Sequence, residues 1–200
     1  MYNLEVEGDH CYRVGEQGLL VHNASVAIQQ VTTGGADGLA YAQRTRAFRN
    51  RRPNPSWGEN FGYLIFLSKE DQTIYLGRDG ATNPGGFGRL TPERGYNTPG
   101  VGDTNDPAIA EQHTEQRLLR DLEARAQRNQ ENVACDYGIL SLFTEREPCR
   151  HCTSFLPMAF VPLNQNKGPK EVPIYFVAMS VGGYPATADQ LRMAYQALNL

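Results

Sequence analysis

Two short motifs constrain this chain more than any other feature: His113-Thr114-Glu115, and Pro148-Cys149-Arg150-His151-Cys152, whose proline follows Glu115 by 33 positions. That interval has room for the rest of one helix, a strand and a turn. His113 and Glu115 fall in the chain's clearest helical pattern. It opens on Asp106 and Pro107 as N-cap and first-turn pair and runs to about 129, with Ile109, Leu118, Leu119, Leu122 and Ala126 near helical spacing. Cys149 and Cys152 stand at i and i+3 on a second helix start and face the same way. The spacing predicts two helices side by side at one end of a sheet.

The remaining elements fit around that pair. Residues 1–23 alternate apolar and polar side chains (Tyr2, Leu4, Val6), then carry Gly15 and Gly18 before an apolar run at 19–21, which reads as two short strands around a turn. Residues 24–52 read as a linker followed by a basic, helix-compatible segment, with five arginines from Arg44 to Arg52. Strands are expected at 62–67 and 73–77, then a long loop rich in Gly, Pro, Asn and Thr over 79–106, either functional or poorly ordered. After the first helix come a strand at 137–143, a helix from Cys149 ended or kinked near Pro157, a strand at 172–181 and a closing helix at 187–198. The resulting order predicts one sheet with helices on its faces, an α/β domain.

Several classes drop out. No apolar run reaches eighteen residues, and the first fifteen lack a basic start and apolar middle, so neither a membrane span nor a signal peptide is expected. There is no fixed-period repeat. Four cysteines in 200 residues are too few for a disulfide scaffold, which favours a reducing place of action. The net charge of −3 lies in residues 1–23, where Glu5, Glu7, Asp9 and Glu16 face Arg13; the rest is neutral overall and gives no charge argument for nucleic acid.

At a helix start, backbone amides and the dipole favour thiolates, the form that binds zinc, and His113 can supply a third ligand. One histidine and two cysteines leave a fourth position for water. Zinc lowers the pKa of such a water towards about 7, and Glu115, two residues from a ligand, can take its proton and pass it to a leaving amine. H-x-E with P-C-x-x-C is the signature of zinc nucleobase deaminases. Three plainer readings compete: a redox pair, a structural zinc completed by His151 or Cys135, and chance. In the leading reading His151 is a surface or supporting side chain and Cys135 a small buried apolar one.

With these motifs in view, residues 53–200 resemble the cytidine deaminase-like superfamily. The resemblance implies a three-layer α/β fold, a mixed central sheet with the zinc-bearing helices on one face. It implies Zn2+ on His113, Cys149 and Cys152, Glu115 as proton shuttle, and the backbone at Glu147 and Pro148 touching the departing amine. A helix-like segment ends the chain where the family carries a fifth strand. Trp57, Phe61, Tyr63, Phe87, Tyr96 and Asn97 are candidates for the walls of a base pocket, each equally readable as packing. The run of arginines around Phe48 reads as a phosphate contact or, more commonly, as a solvated helix.

Residues 1–23 resemble the C-terminal end of a Hint, or intein-like, autoprocessing domain of polymorphic bacterial toxins. There His22 would assist cyclisation of Asn23, with the cut before Ala24; without the family's nucleophile block, the fragment is not expected to cleave itself. Together the resemblances imply an interbacterial toxin domain, exported within a larger protein, acting in the target cell's cytoplasm and matched by an immunity protein. The expected reaction is cytosine to uracil in DNA, single strands favoured. RNA, free nucleosides or adenine as substrate remain alternatives, as does a zinc-stabilised binding module without turnover.

Overall fold

The computed structural model describes residues 11–14, 19–22, 25–51, 57, 60–76, 88–90, 113–164, 167–182 and 184–200. Strands β1 (Cys11–Val14) and β2 (Leu19–His22) form an antiparallel pair of their own, Cys11 opposite His22. The expected second strand is there. The alternation expected to mark the first strand, at Tyr2 to Val6, lies outside the described residues.

Among the described residues the main sheet is mixed and has six strands. Its order is β3 (Ser25–Gln30), β8 (Glu171–Ala178), β7 (Gly138–Arg146), β4 (Asn60–Leu67) and β5 (Thr73–Leu76), while β6 (Gly88–Leu90) pairs with the other half of β4. β3 and β7 both run parallel to β8; β4 is antiparallel to β7 and carries β5 and β6 antiparallel along one edge.

Two expectations are corrected by this sheet. Of the stretch 24–52, the part read as a linker contains β3, which pairs with β8, while the basic, helix-compatible part does form helix α1 (Ala36–Asn50). The edge beside β8, where no strand was evident in the C-terminal sequence, is filled by β3 from the N-terminal quarter of the chain. The domain therefore includes residues placed outside it by a boundary at 53.

The sheet is covered on both sides. Leu64, Phe66, Leu142 and Ile174 meet Leu118, Leu122 and Ala126 of α2 (Thr114–Asn129) and Cys152, Leu156 and Phe160 of α4 (Arg150–Leu163). The short α3 (Val133–Asp136) lies between them in sequence and holds Cys135, which is exposed rather than buried. On the other side Tyr63, Ile65, Phe143 and Val177 meet Ala42 of α1 and Leu191 and Tyr195 of α5 (Ala188–Ala197). Strand side chains alternate between faces, so neighbouring residues of β4 serve opposite cores.

Helix α4 continues through Pro157 rather than ending there, as one of the two expectations had it. A proline removes one helical hydrogen bond at a cost of about 3 kcal/mol. Cys152, Leu156 and Phe160, four apart and fully buried, anchor one face of α4 against the sheet on either side of it. Each such apolar side chain contributes roughly 1.5–3 kcal/mol on burial, enough together to outweigh the loss. Among the described residues no helix is long and apolar enough to cross a membrane.

Candidate metal centre

β7 runs parallel to β8 and antiparallel to β4, so the end of β7 and the start of β4 share one end of the sheet. Helices α2 and α4 begin there, on the same face. His113 is the N-cap of α2 and Cys149 the N-cap of α4, both in extended backbone conformation. The two motifs thus converge where helix N-termini concentrate partial positive charge and free amides.

His113 Nδ1 lies 3.3 Å from Cys149 Sγ and 3.4 Å from Cys152 Sγ, and the three donor atoms all fall within 4.8 Å of one another. All three residues are buried. Zinc bonds of roughly 2.0–2.3 Å to nitrogen and sulfur put tetrahedral ligands about 3.5–3.8 Å apart, close to these separations. The group can hold a metal ion. One imidazole and two thiolates suit zinc better than hard, oxygen-seeking cations.

The electrostatics agree with a ligand set. Cys149 is drawn well below the ordinary thiol range, first by its hydrogen bond with Cys152, then by His113 and by the Cys152 backbone amide, which donates to its sulfur at 3.4 Å. The same bond, with burial, pushes Cys152 upward. A cation held there binds the sulfurs as thiolates and so would displace any thiol proton.

Glu115 sits in the first turn of α2, fully buried, its Oε2 accepting from Cys152 Sγ at 3.6 Å. Burial pushes its carboxyl up to about 7, against the lowering influence of His113. Its Oε1 is buried without a hydrogen-bond partner among the described residues. A carboxyl oxygen so placed beside the imidazole and two thiols is a buried acceptor without a partner among the described residues, the situation in which proton-handling groups are found.

Glu147 and Pro148 stand directly before Cys149. Pro148 is buried ahead of Cys149, and its carbonyl accepts from Thr153 Oγ1 at 3.4 Å. The Glu147 amide donates to Ala178 O at 2.9 Å, while its carboxylate accepts from the Ser180 amide at 2.8 Å. The Glu147 amide and carboxylate thus fasten this turn to the end of β8. Phe61 and Tyr63 are buried in the sheet face opposite the cluster, Phe61 against Phe48 and Tyr63 against Tyr41 and Phe143. Trp57 lies on that side too, 5.9 Å from the Tyr195 ring and within 4.8–5.4 Å of the guanidinium carbons of Arg46, Arg49 and Arg192. Phe61 and Tyr63 are buried packing residues on the face away from the cluster, and Trp57 packs half-buried beside them.

Phe87, Tyr96, Asn97, Asn23 and the side chains of His22 and His151 lie outside the described residues. Within the arginine run Arg44 and Arg51 are exposed, as the solvated-helix reading has them, and Arg49 departs from it. Arg49 is wholly buried and paired with Glu145, and Arg44 lies over the Tyr75 ring at 5.1 Å. Comparison with family models, with curated proteins and with solved structures finds no match.

Proposed function

We propose that the chain is a zinc-dependent nucleobase deaminase of the cytidine deaminase-like fold, converting cytosine to uracil in DNA, with single strands favoured. The observation that carries this reading is Glu115: a carboxyl withdrawn from water beside a His-Cys-Cys cluster, with one oxygen unpartnered among the described residues. A zinc that merely braces a fold has no use for it. Leaving a buried acceptor unsatisfied costs about 1–3 kcal/mol, a sacrifice expected where a group handles protons.

Bound at His113, Cys149 and Cys152, zinc supplies the Lewis acidity that makes water a nucleophile near neutral pH. These three residues, one fewer than a structural zinc site uses, would leave room for water and substrate beside Glu115. Glu115 takes the proton of the attacking water and delivers it to the exocyclic nitrogen, which departs as ammonia while the ring keeps the oxygen. Burial, which raises this carboxyl above the ordinary range, favours its holding a proton.

The toxin part of the proposal rests on the Hint-like character of residues 1–23. A release module ahead of a catalytic domain fits a protein exported within a larger chain, acting in the cytoplasm of a target cell and neutralised in the producer by an immunity protein. The test is a single-stranded oligonucleotide incubated with the zinc-loaded protein, then treated with uracil-DNA glycosylase and alkali. Cleavage at cytosines with the wild type and none with Glu115→Ala supports the reading; an intact strand in both contradicts it.

A further inference from the structure

Main-chain pairing between β4 and β7 ends at Gly62 opposite Thr144. Beyond that point side chains continue it, the Glu145 carboxylate accepting from the Phe61 amide at 2.9 Å and Asn60 reaching across from β4. Asn60 Nδ2 donates to Thr144 Oγ1 at 2.9 Å, and its Oδ1 accepts from the Arg146 amide at 3.2 Å. The same Nδ2 donates to Thr114 Oγ1 at 2.6 Å. Thr114 is the residue between His113 and Glu115, and Arg146 is three positions before Cys149. All four side chains are buried. A single amide therefore joins the segment bearing the histidine and the carboxyl to the strand that delivers the two cysteines.

The approach is close. A Cβ on Gly62 would stand 2.5 Å from Thr114 Cγ2 and 2.6 Å from Phe143 O, so the start of α2 rests directly on β4 with no side chain between. Asn60 spends both amide hydrogens and an oxygen lone pair there, in a setting where an unmade bond costs more than a made one gains.

We propose that Asn60 is a positioning residue for the metal centre: its hydrogen bond to Thr114 sets the reach of His113 and Glu115 relative to Cys149 and Cys152. This rests on the metal-binding part of the function proposed above, not on the identity of the substrate. Asn60 itself is aimed at Thr114, Thr144 and Arg146, not at the cluster. Its effect is on alignment, the usual way a residue behind a ligand tunes a metal site.

The test titrates the full chain with cobalt(II) chloride, whose visible bands report thiolate ligation and tetrahedral geometry. Asn60→Leu keeps the shape and removes the hydrogen bonds; Thr114→Val removes only the acceptor. Both are expected to weaken cobalt affinity by about tenfold or more and to shift the visible bands. Thr114→Ser, which keeps the oxygen, is expected to restore both. Ile65→Val, on the opposite face, is expected to lose some thermal stability and to keep wild-type affinity and spectrum, which separates alignment from general weakening.

A folded Asn60→Leu or Thr114→Val with wild-type affinity and bands overturns the proposal, as does a wild type that binds no cobalt. Should Asn60→Leu fail to fold, Thr114→Val decides alone. A wild type that binds cobalt with the expected variant effects yet deaminates nothing defeats the deaminase reading and leaves this one standing.

Discussion

Arg49 of α1 and Glu145 of β7, 96 positions apart, form a two-point ion pair in which neither side chain meets solvent: Nη2 to Oε2 is 2.5 Å and Nε to Oε1 2.6 Å. The carboxylate also accepts from the Phe61 amide at 2.9 Å and from Tyr195 Oη at 2.9 Å. Helix α1, strands β4 and β7 and helix α5 thus close on one charge. A planar guanidinium matches a carboxylate at two points, which lysine cannot do.

Removing one partner leaves the other buried and uncompensated. Arg49→Met is therefore expected to cost about 3–5 kcal/mol of unfolding free energy, read from urea denaturation, and Arg49→Lys to recover only part of it. An Arg49→Met protein as stable as the wild type would show that the pair contributes nothing to the fold.

The domain boundary follows from the same contact and from β3. Residues 24–200 retain β3 and α1, whereas 53–200 expose the edge of β8 and leave Glu145 without its partner. The longer fragment is expected to unfold cooperatively and the shorter to aggregate or remain unfolded, by circular dichroism and size-exclusion chromatography. A stable, monomeric 53–200 would contradict the architecture.

Gly62→Ala tests the contact between β4 and α2. The carbonyl of Phe143 belongs to the adjoining strand and cannot step aside, so Thr114 must move. A loss of roughly 1–3 kcal/mol is expected from overpacking. Metal content after dialysis is expected to fall with it, because His113 and Glu115 flank the displaced residue.

His113→Ala and Glu115→Gln should separate holding the metal from using it. The first removes a ligand and is expected to leave the purified protein without stoichiometric zinc by elemental analysis. The second keeps volume and ligands while removing a poorly satisfied buried carboxyl. Zinc content and melting temperature are expected to stay level or rise, while turnover falls by about 10²–10⁴-fold or more. Zinc loss in Glu115→Gln would recast the residue as a ligand.

Much of this molecule is legible without coordinates because its strands and helices carry their own periodicity. YLIFL in β4 and the leucines of α2 state what they are, and the two motifs imply the convergence of their helices. The misreadings have a common cause in long-range partners. Ser25–Gln30 holds only Val26, Ala27 and Ile28 as apolar residues, and its partner strand lies 146 positions away. Arg49 looks like its neighbours in a basic run until Glu145, a charge near the end of an apolar strand, is placed opposite it. Trp57, Phe61 and Tyr63 are aromatic in either role, and only the face of the sheet distinguishes core from pocket. Asn60 carries no local signal, because what matters is the three groups it joins.

The most direct test of the function is intact-mass analysis of matched single-stranded DNA, duplex DNA, RNA and free nucleosides after incubation with zinc-loaded residues 24–200, beside Glu115→Ala. The account predicts conversion of cytosine to uracil in single-stranded DNA and none with the variant. Zinc-replete, folded protein that leaves every pool unchanged would contradict it.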